Sequence, residues 1–194
     1  MNFTHSVMVS AFIVGVVWSA ALLQPQIATA HSLEEAPQAK LVVAQAGGQH
    51  GDNTQKLVVS FNAHTMVGNS DTLDIANVGE LWQAFNDNTA LHARLKKAPT
   101  RVFVAYQDFS NDFKRARISI GYEQNIVSLA GTGISLKAGM HTQILAPAKH
   151  SPQEIEQAWQ TLDYRRPIEQ VIEEYQLAEN NTLIASSMLV LYGE

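Results

Sequence analysis

The chain has 194 residues, with 13 basic and 18 acidic side chains, a net charge of −5 and no cysteine. Without cysteine there is no disulfide framework, thiol nucleophile or thiolate metal site. The acidic balance argues against nucleic-acid binding, which needs a basic face, and the length suits one domain with a single core.

The first thirty residues predict an export signal. No charged side chain precedes Glu34, and an almost unbroken apolar run covers 7–23. Pro25 and small residues at 28–30 follow, in the A-x-A spacing typical of signal peptidase sites. We therefore predict a signal peptide over 1–30 and a periplasmic or secreted protein. Because the start of the signal lacks basic residues, two alternatives stay open: an uncleaved anchor facing the periplasm, and a buried core helix.

Residues 31–55 predict a flexible arm or linker. Polar side chains, Pro37 and a glycine pair at 47–48 dominate this stretch, which is loop chemistry. Its apolar patch at 41–43 either adds an edge strand or has no structural role. A folded domain is predicted over 56–194.

The first half of this domain predicts the order strand, helix, strand, strand. Strand-forming residues alternate with turn residues, and one stretch carries apolar side chains at helical spacing. The predicted elements are a strand at 57–61 continued by 63–67, a turn with a helix start at 68–71, a helix over 75–85, and a hairpin of strands 101–106 and 115–122.

The second half predicts the same order after one extra strand. The Ser151-Pro152-Gln153-Glu154 sequence is a helix start with Ser151 as N-cap and Glu154 bonding back to it. The predicted fold class is α+β, with two β-α-β-β repeats in one antiparallel sheet and the helices on one face. The strands of this half are predicted at 132–136, at 141–145, near the end of 164–177, and at 186–192.

Several short motifs resemble the gyrase-inhibitor-like, or effector-binding, domain family. The resemblance covers 56–194 and implies two β-α-β-β units with a ligand groove between them. Members of that family bind bulky, often cationic, aromatic compounds; some are sensor domains of transcription activators, one group inhibits DNA gyrase, and some hydrolyse reactive drug-like compounds. The matching segments are L-W-x-x-F at 81–85, V-A-Y-Q-D-F at 104–109, I-S-I-G-Y at 118–122, A-G-M-H-T at 138–142, A-W at 158–159 and I-E-E-Y at 172–175.

The chain departs from the family pattern at three places. The stretch 140–142 replaces an expected strand tyrosine, Ile172 replaces an aromatic residue, and Phe109 replaces a second tyrosine. The groove that the resemblance implies would therefore carry fewer hydroxyl groups.

Glu173 and Tyr175 are the first two candidate site residues. They are two positions apart on a predicted strand, so they project from the same face. The resemblance implies that Glu173 is the groove carboxylate. Such a carboxylate attracts a cation more strongly than in water, and burial raises its pKa towards that of a general base. The alternative is a surface acidic patch with Glu169 and Glu174.

Four further side chains complete the candidate site. Tyr106, Trp82 and Trp159 offer flat faces to aromatic or cationic ligands, although core packing is an equal alternative for the two tryptophans. His141 lies near the groove strand, with an ordinary partly exposed histidine as its alternative. The seven histidines show no metal-ligand spacing, so we expect neither a metal nor a cofactor.

These observations predict an exported protein that binds a small molecule without catalysis. The ligand would be a bulky aromatic or cationic compound, and neither nucleic acid nor, if the signal is cleaved, a membrane is an expected partner. Two alternatives stay open. One is a hydrolase of drug-like esters or strained-ring compounds, in which Glu173 is the general base and Tyr175 assists. The other is an envelope protein-interaction module tethered by residues 31–55.

Overall fold

The computed structural model describes residues 57–128 and 132–194 of the chain. The predicted signal peptide and arm lie outside these residues. Eight strands and three α-helices, with two short 3-10 turns, make up the described part. The strands are β1 (Val58–Phe61), β2 (His64–Asp74), β3 (Arg101–Gln107), β4 (Arg115–Glu123), β5 (Ile134–Leu136), β6 (Gly139–Ala148), β7 (Ile168–Leu177) and β8 (Leu183–Tyr192).

All eight strands belong to one antiparallel sheet, with the spatial order β1-β6-β8-β7-β3-β4-β2-β5. The sheet curls into a half-barrel, with β7 and β3 paired at its centre. Right-handed strand twist accumulates over this many strands and favours curling. The structure therefore confirms the predicted α+β class and the antiparallel sheet.

The helices are α1 (Val78–Asn86), α2 (Thr89–His92) and α3 (Pro152–Gln160). The predicted capping box begins α3: the Glu154 backbone N–H donates to Ser151 Oγ at 3.3 Å, and the Ser151 N–H donates to the Glu154 carboxylate at 2.7 Å. Within residues 57–128 and 132–194, no helix has both the length and the apolar character to span a membrane.

The sheet separates two apolar clusters, because successive side chains on a strand point to opposite faces. Val102, Val104 and Tyr106 of β3 join the larger cluster, which also holds the buried side chains of all three helices. Phe103 and Ala105 join a smaller cluster on the other face. The same alternation decides which predicted site residues can meet.

One prediction about β2 was wrong. The stretch 68–71 does not form a turn with a helix start, because β2 continues through it to Asp74 and pairs with β4 along its length. Gly68 lies opposite Gly121, and a Cβ built on Gly68 would lie 1.9 Å from the Ile120 carbonyl oxygen. The glycine is needed here for a close approach of two strands rather than for a turn.

We expect Gly68→Ala to lower the free energy of unfolding by roughly 1–3 kcal/mol, because the added methyl group would push β2 away from β4. Urea denaturation followed by circular dichroism measures this. Thr72→Ala, at an exposed position of the same strand, is the control and should change stability by no more than about 0.5 kcal/mol. Equal stability of Gly68→Ala and the wild type would contradict the close approach.

Candidate functional site

Five of the six predicted site residues lie together: three of them contact the carboxyl group of Glu173, and Trp82 packs on one of these three. Glu173 lies in the middle of β7, opposite Val104 of β3 and Met188 of β8. The Trp159 indole N–H donates to Glu173 Oε1 at 2.8 Å, and the Tyr175 hydroxyl donates to Oε2 at 2.8 Å. The prediction that Glu173 and Tyr175 share a face of the strand is confirmed.

Aromatic rings surround this carboxyl group. The Tyr106 hydroxyl makes a longer contact of 3.4 Å to Glu173 Oε2, and its ring meets Trp159 edge-on at a centroid distance of 4.7 Å. Trp82 of α1 meets the Tyr175 ring edge-on at 5.6 Å. Edge-to-face pairs at these distances are favourable contacts between aromatic rings. Each of the two longer helices therefore contributes one tryptophan, and these two side chains pack on the tyrosines of β7 and β3.

The site is closed in this structure. Glu173 is 5 % exposed and Tyr175 is 1 % exposed, and the three other aromatic side chains are buried as well. All of the aromatic residues belong to the larger apolar cluster. These side chains therefore serve as core and surround a carboxyl group at the same time.

Burial controls the ionisation of the site. Desolvation raises the pKa of Glu173, and the hydrogen bonds from Trp159, Tyr175 and Tyr106 partly oppose that rise. The pKa values of Tyr106 and Tyr175 are raised well above their ordinary range. Burial is the main cause, and the neighbouring Glu173 carboxyl is the second. Both phenols therefore stay protonated and remain donors.

The Glu173 carboxyl has no cationic partner among the described residues. The ion pairs of this part of the chain use other acidic residues, such as Glu123, Glu169 and Glu174. An ionised carboxylate offers about four acceptor positions, and three neutral donors occupy three of them here. Chemically, the ring-lined carboxyl group keeps one acceptor position that no described residue fills.

The structure does not bring His141 to this carboxyl group. His141 lies on β6, fully buried on the opposite face of the sheet, where its ring contacts Phe61 at 5.1 Å. Its Nδ1 atom lies 3.2 Å from the Gly139 carbonyl oxygen, so Nδ1 carries the proton and Nε2 faces the Gln170 amide at 3.4 Å. Burial lowers the pKa of His141 and favours this neutral form.

Sequence reasoning missed two features near the site. The Ser186 hydroxyl is buried beside Tyr175, its partner across the ladder, and has no hydrogen-bond partner in the described part of the chain. A ligand that reached Tyr175 could satisfy it. The sequence signal for Ser186 was its position: it lies two and four residues before Met188 and Val190, so it shares their buried face of β8.

The second feature is a depression beside α3. Its loop residues belong to none of the motifs found in the sequence.

No metal-holding cluster of three or more histidine, cysteine, aspartate or glutamate side chains occurs within 57–128 and 132–194. Within the same ranges, Glu173 is surrounded by aromatic rather than acidic neighbours. The surface acidic patch considered from the sequence is therefore not the environment of Glu173. Glu174, on the other face of β7, instead pairs with Arg101 at 3.5 Å.

Comparison with known proteins finds a solved structure with a similar fold but does not identify a family for the chain. No protein-family model matches the chain, and no curated protein matches it. A solved structure with a similar fold is an integron cassette protein from the mobile metagenome of Vibrio cholerae, with a TM-score of 0.50 and 16 % sequence identity. The alignment covers 71 % of this chain and 95 % of the cassette protein. At this identity the likeness establishes a shared fold alone.

We expect Glu173→Gln to change how stability depends on pH. Burial raises the folded-state pKa of Glu173 above its ordinary value of 4.5, so the unfolded chain loses this proton first as pH rises. The native state then binds more protons than the unfolded state, and the wild type loses stability as pH rises from about 4.5 through the folded pKa, by up to about 1.4 kcal/mol per pH unit. The variant lacks this loss.

Urea denaturation of both proteins from about pH 4 to about pH 8 measures the difference. The stability of Glu173→Gln relative to the wild type should grow with pH across that window. Glu174→Gln, next to it on the opposite face of β7, is the control for loss of one acidic side chain, and the growth with pH should exceed that of this control. A stability of Glu173→Gln relative to the wild type that stays level or falls as pH rises would contradict a raised pKa.

Proposed function

We propose that this protein is an exported small-molecule-binding protein, which holds a bulky aromatic cation against Glu173. The observation that carries the proposal is a buried carboxyl group with three neutral donors, surrounding rings, and no cation among the described residues. A buried carboxylate without an opposite charge is costly. An aromatic cation would supply both the missing charge and flat surfaces for the rings.

The ligand must take the place of a side chain, because the site is closed. Trp159 is the best candidate to move, because its helix α3 packs less extensively against the strands than α1 does. The helix α1, which carries Trp82, packs against both β2 and β4. Outward rotation of Trp159 would free Glu173 Oε1 and uncover the Tyr106 ring that Trp159 now packs against.

We further propose that the chain is a member of the gyrase-inhibitor-like family, built from two β-α-β-β repeats. Two observations support this. The order strand, helix, strand, strand occurs once as β2-α1-β3-β4 and again as β6-α3-β7-β8. In the sheet, these two sets occupy opposite halves in mirrored order, β6-β8-β7 beside β3-β4-β2. The candidate site lies where the halves meet, with one tryptophan from each.

Export is part of the proposal and rests on the sequence of residues 1–30. An apolar run without charge, followed by small residues in A-x-A spacing, is typical of a cleaved signal. Capture of a cationic compound in the periplasm or outside the cell suits an acidic protein, since a net charge of −5 attracts cations at long range.

Binding is favoured over hydrolysis by the state of the carboxyl oxygens. A general base must lie within hydrogen-bond reach of the water that it activates. Three donors already engage both oxygens of Glu173, and the two tyrosines stay protonated. A ligand that replaces one donor with a positive charge uses this arrangement directly, whereas a hydrolase would need a water in the same position.

Equilibrium titration with crystal violet, a bulky aromatic cation, tests the proposal. The wild type should bind it with a change in tryptophan fluorescence, and Glu173→Gln should bind at least about tenfold more weakly, which corresponds to about 1.4 kcal/mol. Glu174→Gln removes the same charge from the opposite face of β7 and should bind like the wild type. Equal affinity of Glu173→Gln and the wild type, or equal binding of the anionic dye fluorescein, would contradict the proposal.

A further inference from the structure

A depression of about 620 Å³ lies beside the end of α3, separate from Glu173 and the four aromatic side chains around it. It is open to solvent and is bordered by the loop after α3 and by the facing strands β6 and β8. Its volume falls within the range of small-molecule sites. The residues that line it are Thr142, Thr161, Leu162, Asp163, Tyr164, Arg165, Arg166 and Tyr192.

Hydrogen bonds fix the loop that forms this depression. The Arg166 backbone N–H donates to the Asp163 carbonyl at 3.1 Å, and the Asp163 N–H donates to the Tyr192 hydroxyl oxygen at 3.0 Å. The Tyr164 hydroxyl donates to the Trp159 carbonyl at 2.8 Å. The loop is therefore tied to α3 and to β8, so the site has its shape before a ligand arrives.

The depression carries one positive charge in excess. Asp163 is occupied by Arg165 in a two-point contact, with Nε at 2.8 Å and a terminal nitrogen at 3.2 Å from the two carboxylate oxygens. Arg166 instead lies over the Tyr192 ring, with its guanidinium carbon 4.3 Å from the ring centroid. Within the described ranges no carboxylate oxygen lies within ion-pair distance of Arg166.

Two unused donors meet at this point. The Tyr192 hydroxyl accepts from Asp163, and its own proton has no acceptor in the part of the chain that the structure describes. The guanidinium of Arg166 lies over the same ring, and no side chain of the described ranges accepts a hydrogen bond from it. A planar guanidinium matches the two oxygens of a carboxylate, and a neighbouring phenol can donate to the same group.

We propose that this depression is a second binding site, which takes a small organic carboxylate. Arg166 and Tyr192 bind the carboxylate group, and the buried side chain of Leu162 with the ring of Tyr164 contacts the apolar body. A single excess positive charge suits a monoanion, and the volume suits a molecule larger than a bare ion. The charge preference is opposite to that proposed for Glu173, so the two sites bind different ligands.

Binding of benzoate, followed by NMR chemical shifts and calorimetry on the full chain, tests this site. The wild type should bind benzoate, with shifts concentrated at residues 161–166 and 192. Benzamide, which has the same shape without the charge, should bind at least about tenfold more weakly. Inorganic phosphate is the second comparison, and tighter binding of phosphate than of benzoate would overturn the carboxylate assignment.

Two variants with the same change in charge separate this site from a general charge effect. Arg166→Gln should lose benzoate binding at least about tenfold, while Arg115→Gln, at an exposed position of β4, should keep it. Arg166→Lys keeps the charge without the planar fork and should lose part of the affinity. Glu173→Gln should bind benzoate as the wild type does. The test of the carboxylate site is therefore independent of whether a cation binds at Glu173.

The proposal is overturned if benzoate does not bind the wild type, if it binds Arg166→Gln and the wild type equally, or if its shifts fall around Glu173 instead. Because Arg166 is exposed, Arg166→Gln should keep the thermal stability of the wild type. If the variant proves unstable, Arg166→Lys, whose long stem can still cover the Tyr192 ring, decides the outcome by its affinity relative to Arg115→Gln.

Discussion

The hydrogen-bonded carboxyl group of Glu173 is the constraint on which the centre of this structure depends. It joins β7 to α3 through Trp159, and β7 to β3 through Tyr106. An unpaired carboxylate in an apolar core would be costly, so loss of any one donor leaves acceptor capacity unmet. The rings that pack the core are thus also the groups that hold a polar centre in place, and a cation could replace one of them.

The curled sheet places this centre where its two halves meet and separates it from the buried polar groups of the opposite face. Residues on the helix face converge on Glu173, whereas His141 and Gln170 form a separate polar contact on the opposite face. The loop after α3 then carries a second, positively charged depression around Arg166. Of the two sites that we propose in this small domain, the cation site is closed and the anion site is open, and both lie beside α3.

Much of the fold could be predicted from local sequence, and less of the site. The capping box at Ser151 and the alternation around Glu173 are local patterns, and both were predicted correctly. The continuation of β2 through Gly68 could not be, because that glycine is explained by a strand distant in sequence. The face of His141 depends on sheet register, and Arg166 matters only because the distant Tyr192 lies beneath it.

The pKa of Glu173 in the native protein tests the central claim most directly. A ¹³C NMR titration of the glutamate side-chain carboxyl groups measures it, with Glu173→Gln identifying the resonance. The buried environment predicts a midpoint above the ordinary 4.5, because desolvation outweighs the three donated hydrogen bonds. A midpoint at or below 4.5 would show that the hydrogen bonds prevail, and would contradict a carboxyl group that needs an external cation.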